Sequence, residues 1–211
     1  PTFRNMKLLL IGPQGSGKGT IGKMLGEYFH IPLISSGHLL RDLPENHPKK
    51  KEVDEVMEKG ELVPQDLVAS ILEEEVQKDI YKEGYILDGW GRALVDLDYF
   101  NPGFDRVLFI NISPETSVKR LSSRRTCSEC GSIFNTISVP PKVDGICDYC
   151  GGKLVQREDD VEDAVRRRLE IFNTETIRTL DVFRNEGKVL EIDGEGSPEE
   201  VFKLSVEALK S

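Results

Sequence analysis

The chain has 211 residues, 38% of them hydrophobic and 31% charged, with a net charge of −9. That length supports one sizeable core with room for small insertions, and the acidic balance argues against a general nucleic-acid-binding surface. No apolar run approaches membrane-spanning length and no signal-peptide pattern opens the chain, which points to the cytosol.

The first element is an apolar run of strand length, Leu8-Leu-Leu-Ile11, which ends in the glycine-rich turn Gly12-Pro-Gln-Gly-Ser-Gly-Lys-Gly-Thr20. Ile21, Met24, Leu25, Tyr28 and Phe29 then recur at the spacing of one helix face. Strand, glycine loop and helix form the context of a phosphate-binding loop. Its glycines aim successive N–H groups into one concavity, the helix N-terminus adds partial positive charge, and Lys18 brings a full charge to the outer phosphates of a nucleoside triphosphate. Gly12, Gly17 and Lys18 fit G-x-x-x-x-G-K, but Gly19 stands where the strict pattern has Ser or Thr, and the hydroxyl comes one residue later at Thr20.

Ile31-Pro-Leu-Ile34 reads as a second strand, followed by a turn and a helix with Leu39, Leu40 and Leu43 on one side. Residues 44–54 are polar, and Lys49-Lys-Lys51 reads as a solvated loop; Val53, Val56 and Met57 suggest a short helix stopped at Gly60. Leu67, Val68, Ile71, Leu72 and Val76 mark an amphipathic helix behind Pro64. Tyr85-Ile-Leu87 is a strand ending in Asp88, a carboxylate placed to hold Mg²⁺ directly or through water beside a phosphate loop. Val107 to Ile112 is the plainest strand; the helix after it is expected to carry Arg120 and Arg124 four apart on one face. Val161, Val165, Leu169 and Phe172 resume as a helix continuing through Leu180 and Phe183, and Val189-Leu-Glu-Ile192 with a final helix closes the chain.

Cys127-x-x-Cys130 and Cys147-x-x-Cys150 are separated by sixteen residues, the spacing of one tetrahedral zinc site. Four thiolates leave no open coordination position, so the zinc is structural; another thiophilic metal, disulfides and a redox pair are the competing readings.

Five strands alternating with helices predict an α/β fold with a five-stranded parallel sheet, whose ligands sit beyond the carboxyl ends of the strands. Two polar insertions, roughly 36–64 and 125–159, interrupt a core made of 1–35, 65–124 and 160–211. Arg41, Arg92, Arg120, Arg124, Arg157 and Arg168 lie near strand ends or flank the insertions. Guanidinium forks meet phosphate oxygens bidentately, which suits phosphoryl transfer. A phosphate-loop switch and a zinc-ribbon nucleic-acid binder are the readings from other classes; acidity and the arginines count against both.

These segments together resemble the adenylate kinase family in its long-lid form with a zinc-bearing lid. The matches are the glycine loop, Ile34-Ser-Ser-Gly37 with Arg41, Gly60-Glu-Leu-Val63, Asp88-Gly-Trp-Gly-Arg92, Arg120, Arg124, and the lid from Cys127 through Pro140-Pro141 and Gly145 to Gly152 and Gln156-Arg-Glu-Asp-Asp160, with Arg168 beyond. Glycine in the Ser/Thr slot is that family's own phosphate loop. The resemblance implies a P-loop three-layer fold with a nucleoside-monophosphate-binding insertion and reversible phosphoryl transfer from ATP to AMP with Mg²⁺. Gly15, Ser16, Gly17, Lys18, Gly19 and Thr20 would cradle the donor phosphates. Arg120, Arg124, Ile133, Phe134 and the backbone near Gly196 would contact the donor. Ser36, Arg41, Glu61, Leu62, Val63, Gly89, Trp90, Arg92 and Asp96 would line the acceptor site. Lys18, Arg92, Arg124, Arg157 and Arg168 would clamp the moving group. Asp88 would orient Mg²⁺ through water, Asp159 is expected to help orient the lid arginines, and both insertions would close to exclude water. Partners are small nucleotides, with no membrane or nucleic acid, and a monomer is the default assembly.

Departures from the family's pattern are Trp90 and Gly91 in Asp-Gly-Phe-Pro-Arg, His38 for Asp, Asn135 for a lid histidine, and Asp96 for Gln. Gly91 is expected to loosen a turn that proline would fix, and His38 to face solvent. A carboxylate at 96 only accepts hydrogen bonds. It is expected either to relax acceptor specificity or shift it toward GMP, or to face solvent after a local register change.

Overall fold

The computed structural model describes residues 5–58, 62–157 and 160–211. The main sheet runs β1 (Met6–Ile11), β2 (Leu33–Ser35), β3 (Gly84–Asp88), β4 (Arg106–Asn111) and, last in the chain, β8 (Val189–Asp193). Its spatial order is β2-β3-β1-β4-β8, with every pairing parallel. The apolar runs are continuous because both faces of the sheet are covered. Leu8, Leu10, Ile86, Leu108 and Ile110 point to one side, where they meet Ile21 and Leu25 of α1 (Lys18–Phe29) and Val201 of α9 (Pro198–Lys210). Leu9, Ile11, Leu87 and Phe109 point to the other, against Leu67, Val68, Ile71 and Leu72 of α4 (Gln65–Val76) and Leu180 and Phe183 of α8 (Ile177–Asn185). Three layers result, as the alternation of strands and helices predicts.

The first insertion holds α2 (Ser36–Arg41) and α3 (Lys50–Glu58). Here the loop expected over Lys49-Lys-Lys51 is corrected, since Lys50 and Lys51 open α3. Lys50 pairs with Asp54 at 2.9 Å and Lys51 with Glu55 at 3.8 Å, each four residues on, and these pairs turn the charge run into a helix start. Gly60, the expected stop, lies outside the described residues.

After β3 comes a short helix not foreseen in the sequence, α5 (Leu94–Tyr99), and after β4 comes α6 (Pro114–Ser122). Helix α6 ends two residues before Arg124, which opens β5 (Arg124–Cys127). Arg120 and Arg124 therefore do not share a helix face, contrary to the reading from their spacing. Strand β5 pairs antiparallel with β6 (Ile133–Asn135) and β7 (Leu154–Val155) in a separate small sheet, within the insertion expected to form the lid. The long helix beyond it is α7 (Glu162–Ile171), a π-helical turn over Phe172–Thr176, and α8 without a break. Val161 precedes it as an exposed N-cap, so the buried stripe starts at Val165. Among the described residues no helix is long and apolar enough to cross a membrane.

Candidate active site

The glycine loop leaves β1 at the carboxyl edge of the sheet. A side chain at Gly12 would come within 2.4 Å of the Ile110 carbonyl. Gly17, the N-cap of α1, takes φ +86°, a left-handed conformation that suits glycine. Helix α6 braces the loop from behind, with Ser117 Oγ donating to the Gln14 carbonyl and an Arg120 guanidinium N–H to the Gly15 carbonyl, at 2.5 and 3.4 Å. Lys18 Nζ turns back to donate to the carbonyls of Gly12 and Pro13 at 2.7 and 3.0 Å. Burial pushes its ammonium down to about 8; Asp88 opposes the shift, and the positive charges of Arg92, Arg168 and Arg124 add to it. Those groups come from three separate stretches of sequence, and each acts on the same lysine. Asp88 itself closes β3, its Oδ2 3.7 Å from where a Cβ on Gly19 would sit.

The lid arginines are held by a carboxylate that sequence reasoning missed. Asp160, 1% exposed, receives Arg124 Nε at 2.8 Å and Nη2 at 2.5 Å, a bidentate fork, and Arg168 lies 3.8 Å away. Its neighbour Asp159, the residue expected in this role, lies outside the described residues. Burial and the nearby charge of Arg157 hold the Arg41 guanidinium below its ordinary value, so the lid and the first insertion bring like charges to one place. A Cβ on Gly131 would lie 3.5 Å from Nε2 of His38, which is exposed as expected but sits against the lid.

On the acceptor side, Ser36 Oγ donates to the Gly89 carbonyl at 3.0 Å. Trp90 is 2% exposed; its indole N–H donates to the Phe100 carbonyl at 2.9 Å, so its ring belongs to the core. Leu62 is 82% exposed and Val63 buried, while Glu61 lies outside the described residues. Asp96 is buried, which removes the solvent-facing alternative. Its Oδ2 accepts from the backbone N–H groups of Arg92 and Ala93 at 2.7 and 3.1 Å, while Oδ1 has no hydrogen-bond partner. On the donor side, Arg120 donates to the carbonyls of Glu195 and Gly196 at 3.0 and 3.2 Å. In the lid, Ile133 is exposed and Phe134 buried.

With this geometry in view, comparison with known proteins is decisive. Residues 10–188 match the sequence model of the family described as adenylate kinase. The chain belongs to the adenylate kinase family. It is 38% identical over 207 residues to the adenylate kinase of Fervidobacterium nodosum, covering 94% of this chain and 95% of that one. With the adenylate kinase of Archaeoglobus fulgidus the identity is 39% over 212 residues, covering 97% of each. It is an enzyme of this family, a phosphotransferase acting on nucleoside monophosphates.

The adenylate kinase lid carries the four cysteines. Their sulfurs all lie within 4.8 Å of one another, with Cys127–Cys150 at 3.4 Å and Cys130–Cys147 at 3.6 Å. Disulfides would need about 2 Å, whereas four sulfurs around one zinc stand roughly 3.8 Å apart. The buried cluster here is Cys127, Phe134, Cys147 and Leu154, so half of it is cysteine that could hold a metal ion. Elemental analysis is expected to find one zinc per chain. Stripping it with a thiol reagent and chelator should abolish amide-exchange protection in β5, β6 and β7 while the five-stranded sheet keeps its own.

Two departures from the adenylate kinase pattern acquire a structural reason. Asn135 Nδ2 donates to the Arg120 carbonyl and to Ser123 Oγ at 3.0 and 2.9 Å, and its Oδ1 accepts from the N–H groups of Ile137 and Ser138. One side-chain amide thus ties β6 to the end of α6. Gly91 takes φ +72°, which proline cannot adopt. The turn is therefore a different one, not a loosened proline turn. Replacing Gly91 by Pro is expected to destabilise the enzyme by more than about 1 kcal/mol, read by chemical denaturation, where a matched backbone would have gained.

Proposed function

We propose that the enzyme transfers the terminal phosphoryl group of ATP reversibly to AMP, with Mg²⁺, and that residues 36–64 and 125–159 close over the core. The observation that carries this reading is the convergence on Lys18 of Asp88, Arg92, Arg124 and Arg168. Phosphoryl transfer asks a protein for little covalent chemistry, and a ring of fixed cations neutralises the charge spread over the transferring oxygens. The backbone from Gly15 to Thr20 cradles the donor phosphates. Arg120 and the Glu195–Gly196 carbonyls border the donor base, with Ile133 above. Ser36, Arg41, Leu62, Val63, Gly89 and Arg92 face the acceptor. Arg157, whose charge already acts on Arg41, completes the clamp.

Asp88 fits a Mg²⁺ role, because its carboxylate ends β3 beside the first turn of α1, where the donor phosphates would lie. The ion would neutralise phosphate oxygens, with Asp88 orienting it through water. The four sulfurs fit zinc as a structural ion. Closure excludes water as a competing acceptor, and the contact between His38 and the Gly131 turn supports a lid that reaches the acceptor insertion. We place the enzyme in the cytoplasm, as a single chain acting on free nucleotides.

A shift of the acceptor toward GMP is the less favoured reading: one oxygen of Asp96 is engaged on the backbone, and the relatives are named adenylate kinase. Initial rates with ATP held constant and AMP, GMP, CMP or UMP as acceptor test both. AMP is expected to lead. Preference for GMP would overturn the acceptor assignment, and no turnover with any monophosphate would overturn the function.

A further inference from the structure

Resting on that function, we propose that Thr176 is a positioning residue for the Arg92 clamp, placed by the π-helical turn in the long helix. Arg168 and Thr176 are eight residues apart. In an unbroken α-helix such residues point about 80° apart, whereas residues seven apart are offset by only about 20°. The π turn over Phe172–Thr176 holds one extra residue, so the pair lies as if seven apart and shares a face. Phe172 fixes the turn to the sheet by stacking on Phe109, with ring centroids 6.2 Å apart.

On that face the Thr176 hydroxyl donates to the Arg92 carbonyl at 2.8 Å, across 84 residues of sequence. A helical threonine ordinarily bonds back to its own helix, and Thr174, two residues earlier, does so, donating to the Glu170 carbonyl at 3.0 Å. Thr176 instead reaches another segment, and it is 7% exposed. The peptides around Arg92 are thereby gripped from two sides. Asp96 takes the Arg92 and Ala93 N–H groups, and Thr176 takes the carbonyl. The residue before Arg92 is a glycine at φ +72°, which does not stiffen the turn. One turn on from Thr176, the Thr179 methyl packs 3.5 Å from where a Cβ on Gly91 would stand. Two guanidiniums that act on Lys18 are thus set from one helix: Arg168 directly, Arg92 through the Thr176 hydroxyl.

The test compares Thr176→Val, which keeps the shape and loses the donor, with Thr176→Ser, which keeps the donor, in the full-length zinc-loaded enzyme. With ATP and AMP, the valine variant is expected to lose roughly tenfold or more in kcat and to raise the KM for AMP, with the KM for ATP unchanged. Serine should stay within about twofold of the native enzyme. In an Arg92→Ala background the valine substitution should cost nothing further. If the valine variant melts below the assay temperature, Thr176→Ala assayed colder reads the same split. Native kcat in the folded valine variant, or an equal loss with and without Arg92, would overturn the inference alone. A native enzyme inactive with every monophosphate would overturn the functional reading together with it.

Discussion

Replacing Lys18 by methionine is expected to slow phosphoryl transfer roughly a thousandfold, because a fixed cation on the transferring oxygens is lost where few alternatives to electrostatic stabilisation exist. The same residue gives a signature in pH. Its ammonium is pushed by burial from 10.5 to about 8, with Asp88 opposing the shift and Arg92, Arg168 and Arg124 reinforcing it. Between about 8 and 10.5 the unfolded chain then binds the proton that the folded chain has released, so the folded state gains stability as pH rises through that window. Under the proposed function nucleotide affinity should run the other way, because the charge that would meet the phosphates disappears over the same range. Melting curves of the nucleotide-free native protein and Lys18→Met, recorded from pH 7 to 10, check the first sign: the difference should move in favour of the native protein above pH 8. Calorimetric titration with ATP checks the second. A stability difference flat in pH would show that Lys18 titrates at its ordinary value.

The second large effect is expected at Asp160. The side chain is fully buried and meets two arginines, with Arg124 bound through both oxygens. Truncation to alanine leaves guanidinium charge without its partner in a largely dry site, which costs about 3 kcal/mol, or roughly 6–12 °C in melting temperature for a chain of this size. Activity should fall further than stability implies, by roughly a hundredfold in kcat, since Arg124 and Arg168 lose the group that aims them. In an Arg124→Met background the stability cost of Asp160→Ala should shrink, because the stranded charge is then absent. Equal costs in both backgrounds would mean that the fork contributes nothing specific.

The parallel sheet was readable from the amino-acid order because a strand covered on both faces must be apolar throughout, as Val107 to Ile112 is. The phosphate loop and the paired cysteines were readable because their chemistry fixes spacing over a few residues. Other features depend on partners distant in sequence. The 120–124 interval fits a helix for Arg124, but β5 exists only through pairing with β6 and β7, which lie beyond any local window. The adjacent Asp159 and Asp160 offer no local basis for choosing between them; the role of Asp160 rests on Arg124 and Arg168, which come from 36 residues before it and from α7 after it. The like charges of Lys50 and Lys51 favour a solvated loop, yet Asp54 and Glu55, four residues on, support a helix there. At Gly91 the residue type permits a left-handed turn, but what fixes it is mostly distant in sequence: the packing of Leu9 and Thr179 and the hold of Thr176 and Asp96 on the peptides around Arg92.

Helix α6 is nine residues long and touches three separate parts of the chain. Its Ser117 donates to the phosphate loop, its Arg120 donates to the carbonyls of Glu195 and Gly196, and the carbonyl of that same arginine accepts from Asn135 of β6. These three attachments share one helix of nine residues, so the phosphate loop, the Glu195–Gly196 turn and β6 are positioned against one another by a single element. Under the proposed function, a donor base seated at Glu195 and Gly196 would therefore lie against Arg120, the same residue whose carbonyl anchors Asn135 of β6.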